Sequence, residues 1–547
     1  MLARWRRAEA DSPPIQSRCH YGGPRKPRAC VNKSSVMGQL HLIEQVLVAG
    51  MPGCPPQTMD VLIDTDRFVA IAPKIDLSTV RIDERTRGRR LLMIPGLINA
   101  HHHSHDRFDK GRFSGLPLEI WMSLYNPPTH PRGWTAREVY LRTLLNGTEM
   151  LRNGITTVVD DIHFGGCIDP EVVSAAFQAY TDLGMRADVS VAWGDRAFRD
   201  SVPYLDRHLP VNTGSTCAVR TADWTLAFWE ELAQEWKGRV RFVFSPSAPQ
   251  RCSTAFLEKT CELARKHGRP VLLHVLETRI QALTATKNYG MPMVEYLNCH
   301  GLLDHHSVLA HGVWLSESEL DLIADTGASV IHNPACNLKL ASGIAPVSEM
   351  LRRGIAVGLG TDNNNGNDLN SMLDAMRLAA LVSATGDARL EAGIDASQAF
   401  SMATTGGARS IEQTTIGSIR VGMQADFVLL DLSSNAFLPL NDPLTQLVFC
   451  EQGQSIREVY VAGQKLVDDG RITRIDESAM LAELDERMPA VQRRIREGEA
   501  AATHLRPFLE AAYADCLADP LMKPWLSRHR ALSDPAPLIK KHTPLTG

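Results

Sequence analysis

Eight short apolar runs, separated by helical patterns through the middle of the chain, constrain the fold more than any other feature. They are LLMIPGLI (91–98), ITTVVDD (155–161), RADVSVAW (186–193), VRFVFS (240–245), PVLLHV (270–275), SVLAHG (307–312), ASVIHN (328–333) and IAVGLGT (355–361). Runs this apolar suit strands buried on both faces. Stretches such as AREVYLRTLLNGTEMLRNG and STAFLEKTCELARKHG between them read as helices. Alternation of strand and helix is the pattern of parallel βα units. Eight such units predict an α/β fold, a (β/α)8 TIM-like barrel. Strand-rich stretches at 40–94 and 416–473 flank it and predict a small β-sandwich domain built from N- and C-terminal segments.

The expected division is a disordered basic extension over 1–36, sandwich over 37–94, barrel over 95–412, sandwich again over 413–475, and a helical tail over 476–547. The extension holds eight Lys/Arg against two acids, a net +6, and Met37 follows it directly. The whole chain has a net charge of −4, which gives no basic footprint for nucleic acid. No apolar run approaches the roughly 18 residues a membrane span needs. Arg6-Arg7 have no apolar stretch behind them, which argues against a secretory or twin-arginine signal. Eleven cysteines, an odd number without CxxC pairs, point to reduced thiols and a cytoplasmic location. A small molecule is the expected partner, and the sequence leaves room for a homo-oligomer.

The polar residues at the downstream ends of the runs carry the chemistry. His101 and His103 stand two apart at a strand end, so their rings share one face; His102 points to the other face and reads as structural. His274 ends PVLLH. Glu277 follows at an odd offset of three, so it reaches the same mouth only if the strand has ended and the loop curls back. His311 ends SVLAH, and Asp362 ends GLGTD. Each of these alone has a plain structural reading: a core histidine, a turn aspartate, or a glutamate opening a helix. Their joint placement argues otherwise. A barrel gathers the C-terminal ends of all eight strands on one face, so three imidazoles and one carboxylate converge into a mononuclear metal site with an open position.

The stretches PGLINAHHH (95–103), NGITTVVD (153–160), LLHVLET (272–278), VLAHGVWLSESEL (308–320), IHNPACNLKLASG (331–343), GLGTD (358–362) and GMQADFVLLDL (422–432) resemble the amidohydrolase superfamily. The nearest branch holds chlorotriazine hydrolases, guanine and cytosine-type deaminases and related C–N hydrolases. The resemblance spans about residues 40–475. It implies that His101, His103, His274 and Asp362 hold one divalent ion, zinc first and iron as the alternative, and that Glu277 and His311 do proton and electrostatic work. The run VRFVFSPSAPQRC contains no Lys to bridge a second ion. Cys336 stands where many relatives carry Ser, and NNNGND after Asp362 replaces the usual run of small residues.

The expected chemistry is hydrolysis of a C–N bond other than a peptide bond. A divalent ion lowers the pKa of water to about 7 from near 16. Asp362 would take the water's proton, His311 would orient the hydroxide and stabilise the developing oxyanion, and Glu277 would protonate a ring or leaving nitrogen. The loop 105–128 carries Phe108, Phe113, Trp121 and Tyr125, an aromatic lid that favours amide or phenylurea-like cleavage. The alternative is a deaminase or dechlorinase of an N-heterocycle of triazine, purine or pyrimidine type. A non-catalytic barrel scaffold is the remote third reading, and no GxSxG elbow or H-x-E/P-C-x-x-C pattern supports other hydrolase classes. Phe108, Trp121, His163, Gln250, His332 and Asn333 are the candidate substrate residues, with Trp193 beside them.

Overall fold

The computed structural model describes residues 28–30, 38–78, 80–125, 127, 132–165, 168–210, 220–384 and 393–522. The expected extension over 1–36, apart from 28–30, and the tail beyond 522 lie outside the described residues. Residues 28–30 pair in parallel with Lys74–Asp76.

The barrel strands are β1 (Leu97–His103), β2 (Ile155–His163), β3 (Arg186–Ala192), β4 (Val240–Phe242), β5 (Val271–Val275), β6 (Ser307–His311), β7 (Ser329–His332) and β8 (Ala356–Leu359). Two parallel blocks run β4-β3-β2-β1 and β5-β6-β7-β8. A parallel bridge from Phe244 to Val271 joins them on one side. On the other side the extension Asp362–Asn363 pairs with His102 and His103 of β1. The two blocks thus meet on both sides, at one bridge and at one short extension. Ile98, Val159, Leu272, Val308 and Ile331, one from each of five strands, fill the interior together with Ala408, Ile411 and Ile416. The barrel is thus a packed core and not a pore.

The run read as a single strand over 91–98 divides. Leu91–Pro95 pairs antiparallel with Phe427–Asp431 in the outer sheet, and β1 begins at Leu97. The chain switches sheets at Gly96, where a Cβ would lie 2.1 Å from Thr156 Oγ1. Only a residue without a side chain passes there.

The outer domain is one hydrogen-bonded sheet of strands from 40–95 and 427–472. Phe68 and Phe427 sit four strand steps apart along it, about 19 Å in a flat sheet at 4.8 Å per step. Their ring centroids are 6.0 Å apart. The sheet therefore rolls back on itself, and its two halves enclose Ile43, Phe68, Phe427 and Tyr460 like the layers of a sandwich.

Three helices shape the mouth of the barrel: α1 (Leu118–Tyr125), α2 (Arg279–Tyr289) and α3 (Pro334–Lys339). Beyond the rolled sheet come α4 (Glu477–Thr503) and α5 (Arg506–Ala518). These do not trail off. Leu505, Leu509, Ala512 and Cys516 join Trp121, Leu124 and Tyr125 of α1, Ile280 and Leu283 of α2, and Leu340 in one buried cluster over the mouth. Lys287 Nζ pairs with Asp519 at 2.9 Å beside it. No helix among the described residues is long and apolar enough to cross a membrane.

Candidate active site

The strand ends turn sharply. Ser247, Leu276, His311 and Asp362 all have left-handed backbone, with φ of 52, 52, 77 and 61°. Non-glycine residues hold that region only when the surroundings over-determine it. Leu276 resolves the odd offset of Glu277. β5 stops at Val275, Leu276 reverses the chain, and Glu277 swings over the mouth. Thr278 then caps α2 by accepting from Gln281 N.

The period-two reading of β1 holds. The rings of His101 and His103 are 4.7 Å apart, and that of His101 is 4.9 Å from His274. His102 faces away, with Nδ1 3.0 Å from Asp362 O and 3.2 Å from Thr361 Oγ1, tying β1 to the end of β8. His103 Nδ1 is bound to Asp161 O, and His274 Nδ1 lies 2.9 Å from Ser247 O. These backbone carbonyls take the Nδ1–H groups and turn both Nε2 atoms inward, the usual way a ligating histidine is oriented. His274 Nε2 and His103 Nε2 are 3.3 Å apart. Asp362 Oδ1 is 3.2 Å from His103 Nε2 and 3.6 Å from His101 Nε2. On the far side, His311 Nε2 is 3.5 Å from Glu277 Oε2 and 3.7 Å from Asp362 Oδ2. Its Nδ1 is 3.0 Å from Asn337 Oδ1.

The residues fit a cation. His101 Nε2, His311 Nε2 and Asp362 Oδ2 are buried with no hydrogen-bond partner. The ligand atoms of His101, His103 and Asp362, and of His101, His274 and His311, each fall within 4.8 Å of one another. The electrostatics ask for one positive charge at this point. Burial, then the neighbouring charge of His103, drives His101 well below its ordinary pKa, and burial takes His274 to about 3. His103 goes the other way, to about 10: burial opposes this, but the hydrogen bond and charge of Asp362 outweigh it. Asp362 is held well below the carboxylate range because its imidazole partners overcome its burial. Burial pushes Glu277 up to about 7, and the charge of His311 only partly offsets it.

Among the expected substrate residues, Trp121 and His163 line the pocket beside the histidines. The others lie off its wall. Phe108 turns onto Trp134, with centroids 5.9 Å apart. Gln250 is buried in the turn after β4, and His332 is buried at the end of β7 with both ring nitrogens unpartnered. Asn333 Nδ2 is 3.4 Å from His311 Nδ1 and so supports that ring from behind. Trp193 packs on Phe256.

Sequence reasoning missed Asp161, Met122, Ser247 and Arg251, which also line the pocket. Asp161 had a signal, since it ends ITTVVDD as Asp362 ends GLGTD. Its Oδ2 is 3.9 Å from His274 Nδ1, and it groups with His103 and His274 as potential ligands.

Comparison with known proteins gives the family. The model of the amidohydrolase family matches residues 92–466. A 5-methylthioadenosine/S-adenosylhomocysteine deaminase of Thermococcus onnurineus is 31% identical over 411 residues, 75% of this chain and 90% of that protein. A 5′-deoxyadenosine deaminase of Methanosarcina mazei is 31% identical over 396 residues, 72% of this chain and 84% of the relative. The structure of an adenosine deaminase from Xanthomonas campestris with bound zinc superposes with a TM-score of 0.73 at 27% identity, covering 86% of this chain and all of that one. The zinc complex of an atrazine chlorohydrolase from Arthrobacter aurescens gives a TM-score of 0.73 at 25% identity, over 83% of this chain and all of that one. The chain belongs to the amidohydrolase family and is a hydrolase of carbon–nitrogen bonds other than peptide bonds.

Proposed function

We propose that this chain is a hydrolytic deaminase of an amino-bearing N-heterocycle, an adenine nucleoside foremost, and that it works with one zinc ion held by His101, His103, His274 and Asp362. The observation that carries the reading is the meeting of those four side chains with a buried Glu277, its carboxyl pushed up to about 7, on one barrel face, in a chain whose curated relatives deaminate adenosine derivatives. The relatives described above support the heterocycle alternative and not phenylurea-like cleavage. Its premise also weakens: Phe108 turns away and Phe113 joins the cluster under α5, and the remaining Trp121 and Tyr125 suit a purine as well as an aryl group.

A divalent ion bound here supplies Lewis acidity and makes water acidic near neutral pH. Asp362, kept ionised, accepts a proton from the attacking water. His311, held at Nδ1 by Asn337, turns Nε2 toward Asp362 and Glu277, where it steadies the developing oxyanion and passes the proton between them. Glu277 carries its proton up to about neutrality and delivers it to the ring or leaving nitrogen. Ser342 Oγ at 3.3 Å and Gln281, which accepts from Glu277 N at 2.8 Å, fix its position.

The test is metal analysis of the purified protein, followed by assays for released ammonia or amine. The panel is adenosine, 5′-deoxyadenosine, 5′-methylthioadenosine, an aminotriazine and a phenylurea. Ammonia from the nucleosides with one zinc per chain is expected. Amine from the phenylurea with no ammonia from any heterocycle overturns the reading.

A further inference from the structure

Arg251 ends the turn Pro249–Arg251 after β4 and lines the pocket. Its Nη1 donates to Ser247 Oγ at 3.1 Å, and its Nη2 lies 2.8 Å from Met122 Sδ on α1. Among the described residues, no carboxylate oxygen lies within 4.0 Å of this guanidinium. Three other well-covered arginines differ: Arg132 pairs with Asp109, Arg186 with Asp426 and Arg241 with Asp188, while the fully buried Arg142, which does not line the pocket, donates to the His105 carbonyl. A hydroxyl and a thioether are poor partners for a group with five donors. Holding a guanidinium in a sheltered site without a counter-ion is costly, and burial duly lowers its affinity for its proton.

The surroundings indicate what completes the set. Leu118, Trp121, Met122 and Tyr125 form an apolar and aromatic wall on one side. Glu277 and Asp161 lie near enough to act on Arg251 through space, but not to bond it. A ligand that stacks on the wall and also carries an anion would otherwise be repelled by these two carboxylates. Arg251 offsets that repulsion and presents a planar fork suited to a carboxylate or phosphate.

We propose that Arg251 is the recognition group for an anionic substituent, a carboxylate or a phosphate, carried by the same molecule whose ring amine is hydrolysed. The proposal rests on the deaminase reading for the rest of that molecule. It narrows the substrate class to anionic amino-heterocycles.

The experiment compares the metal-loaded wild type with Arg251→Met and Arg251→Lys on two matched pairs. S-Adenosylhomocysteine against 5′-methylthioadenosine reports on a carboxylate. Adenosine 5′-monophosphate against adenosine reports on a phosphate. In Arg251→Met, the kcat/KM ratio of the anionic to the neutral member falls at least tenfold in one pair, and that pair names the anion. Arg251→Lys recovers part of the loss, which a merely structural role would not produce. An unchanged ratio in both pairs overturns the proposal. If the wild type releases ammonia from none of the four, the adenine-nucleoside reading fails by itself. Arg251 is then judged by thermal stabilisation with benzoate and inorganic phosphate, against benzamide as neutral control. Stabilisation by an anion that Arg251→Met abolishes upholds the site, and equal shifts in both proteins dismiss it.

Discussion

Replacing Glu277 by Gln should stabilise the metal-free protein while removing its activity. The magnitude follows from burial. Glu277 is 3% exposed, and burial lifts its carboxyl from the ordinary 4.5 to about 7. Folding therefore disfavours its ionised form. Below pH 4.5 the carboxyl is protonated in both the folded and the unfolded chain, and it costs nothing. Between 4.5 and 7 the unfolded chain ionises while the folded one does not, so stability falls as pH rises. Above 7 the cost levels off at about 3 kcal/mol, taking 1.36 kcal/mol per pH unit. Glutamine matches the protonated carboxyl in shape and cannot ionise. The advantage of Glu277→Gln should thus be under about 1 kcal/mol at pH 5 and approach ~3 kcal/mol at pH 8. Urea denaturation of the two proteins at both pH values, in the presence of chelator, measures it. Carboxylates away from the site titrate alike in both proteins and cancel. A variant no more stable than wild type at pH 8, or an advantage that does not grow from pH 5, refutes the claim that burial at the site holds this proton.

Three further outcomes are expected. Replacing His101 or His274 by Ala should abolish bound zinc and ammonia release together, as read by metal analysis and turnover, whereas Glu277→Gln should keep the metal and lose at least a hundredfold in kcat. The wild-type rate should fall on the alkaline side of about pH 7, tenfold per pH unit, as Glu277 loses the proton it must donate; a rate that stays level to pH 9 counts against Glu277 as the acid. Leu509→Ala, which empties a buried position where α5 meets α1, should cost about 2–4 kcal/mol and raise KM more than it lowers kcat, as measured by denaturation and steady-state kinetics.

The candidate metal cluster was legible because its residues obey strand geometry. His101 and His103 share a face by the period of two, and His274, His311 and Asp362 each close an apolar run. A barrel has only one place to put such residues. Glu277 was legible as a candidate but not as a placement. Its offset of three from His274 makes sense only with the left-handed backbone at Leu276, and nothing in VLLHVLET announces a leucine in that conformation. The sheet switch at Gly96 was hidden for a related reason. An apolar run gives no sign of changing partners inside it, and the need for glycine arises from Thr156, 60 positions away.

The substrate wall was harder to read because it is made by packing and not by period. Phe108, Phe113, Trp121 and Tyr125 lie within 18 positions and look equivalent in sequence. Helix α1 separates them: Trp121 and Tyr125, four apart, share the face toward the pocket, while Phe108 precedes the helix and is drawn to Trp134. What holds α1 in that orientation is the pair of C-terminal helices, which lie beyond the matched family region ending at residue 466. Their sequence is charged and only weakly amphipathic because the stripe they bury is narrow: Val491, Ile495, Ala502, Leu505, Leu509 and Cys516. The ion pairs Arg494–Glu138 and Arg112–Glu499 flank it. A stripe that narrow gives little stability alone, but it is set directly behind Trp121. The shape of the pocket is therefore fixed from outside the barrel, by a segment in which no residue touches the reacting centre.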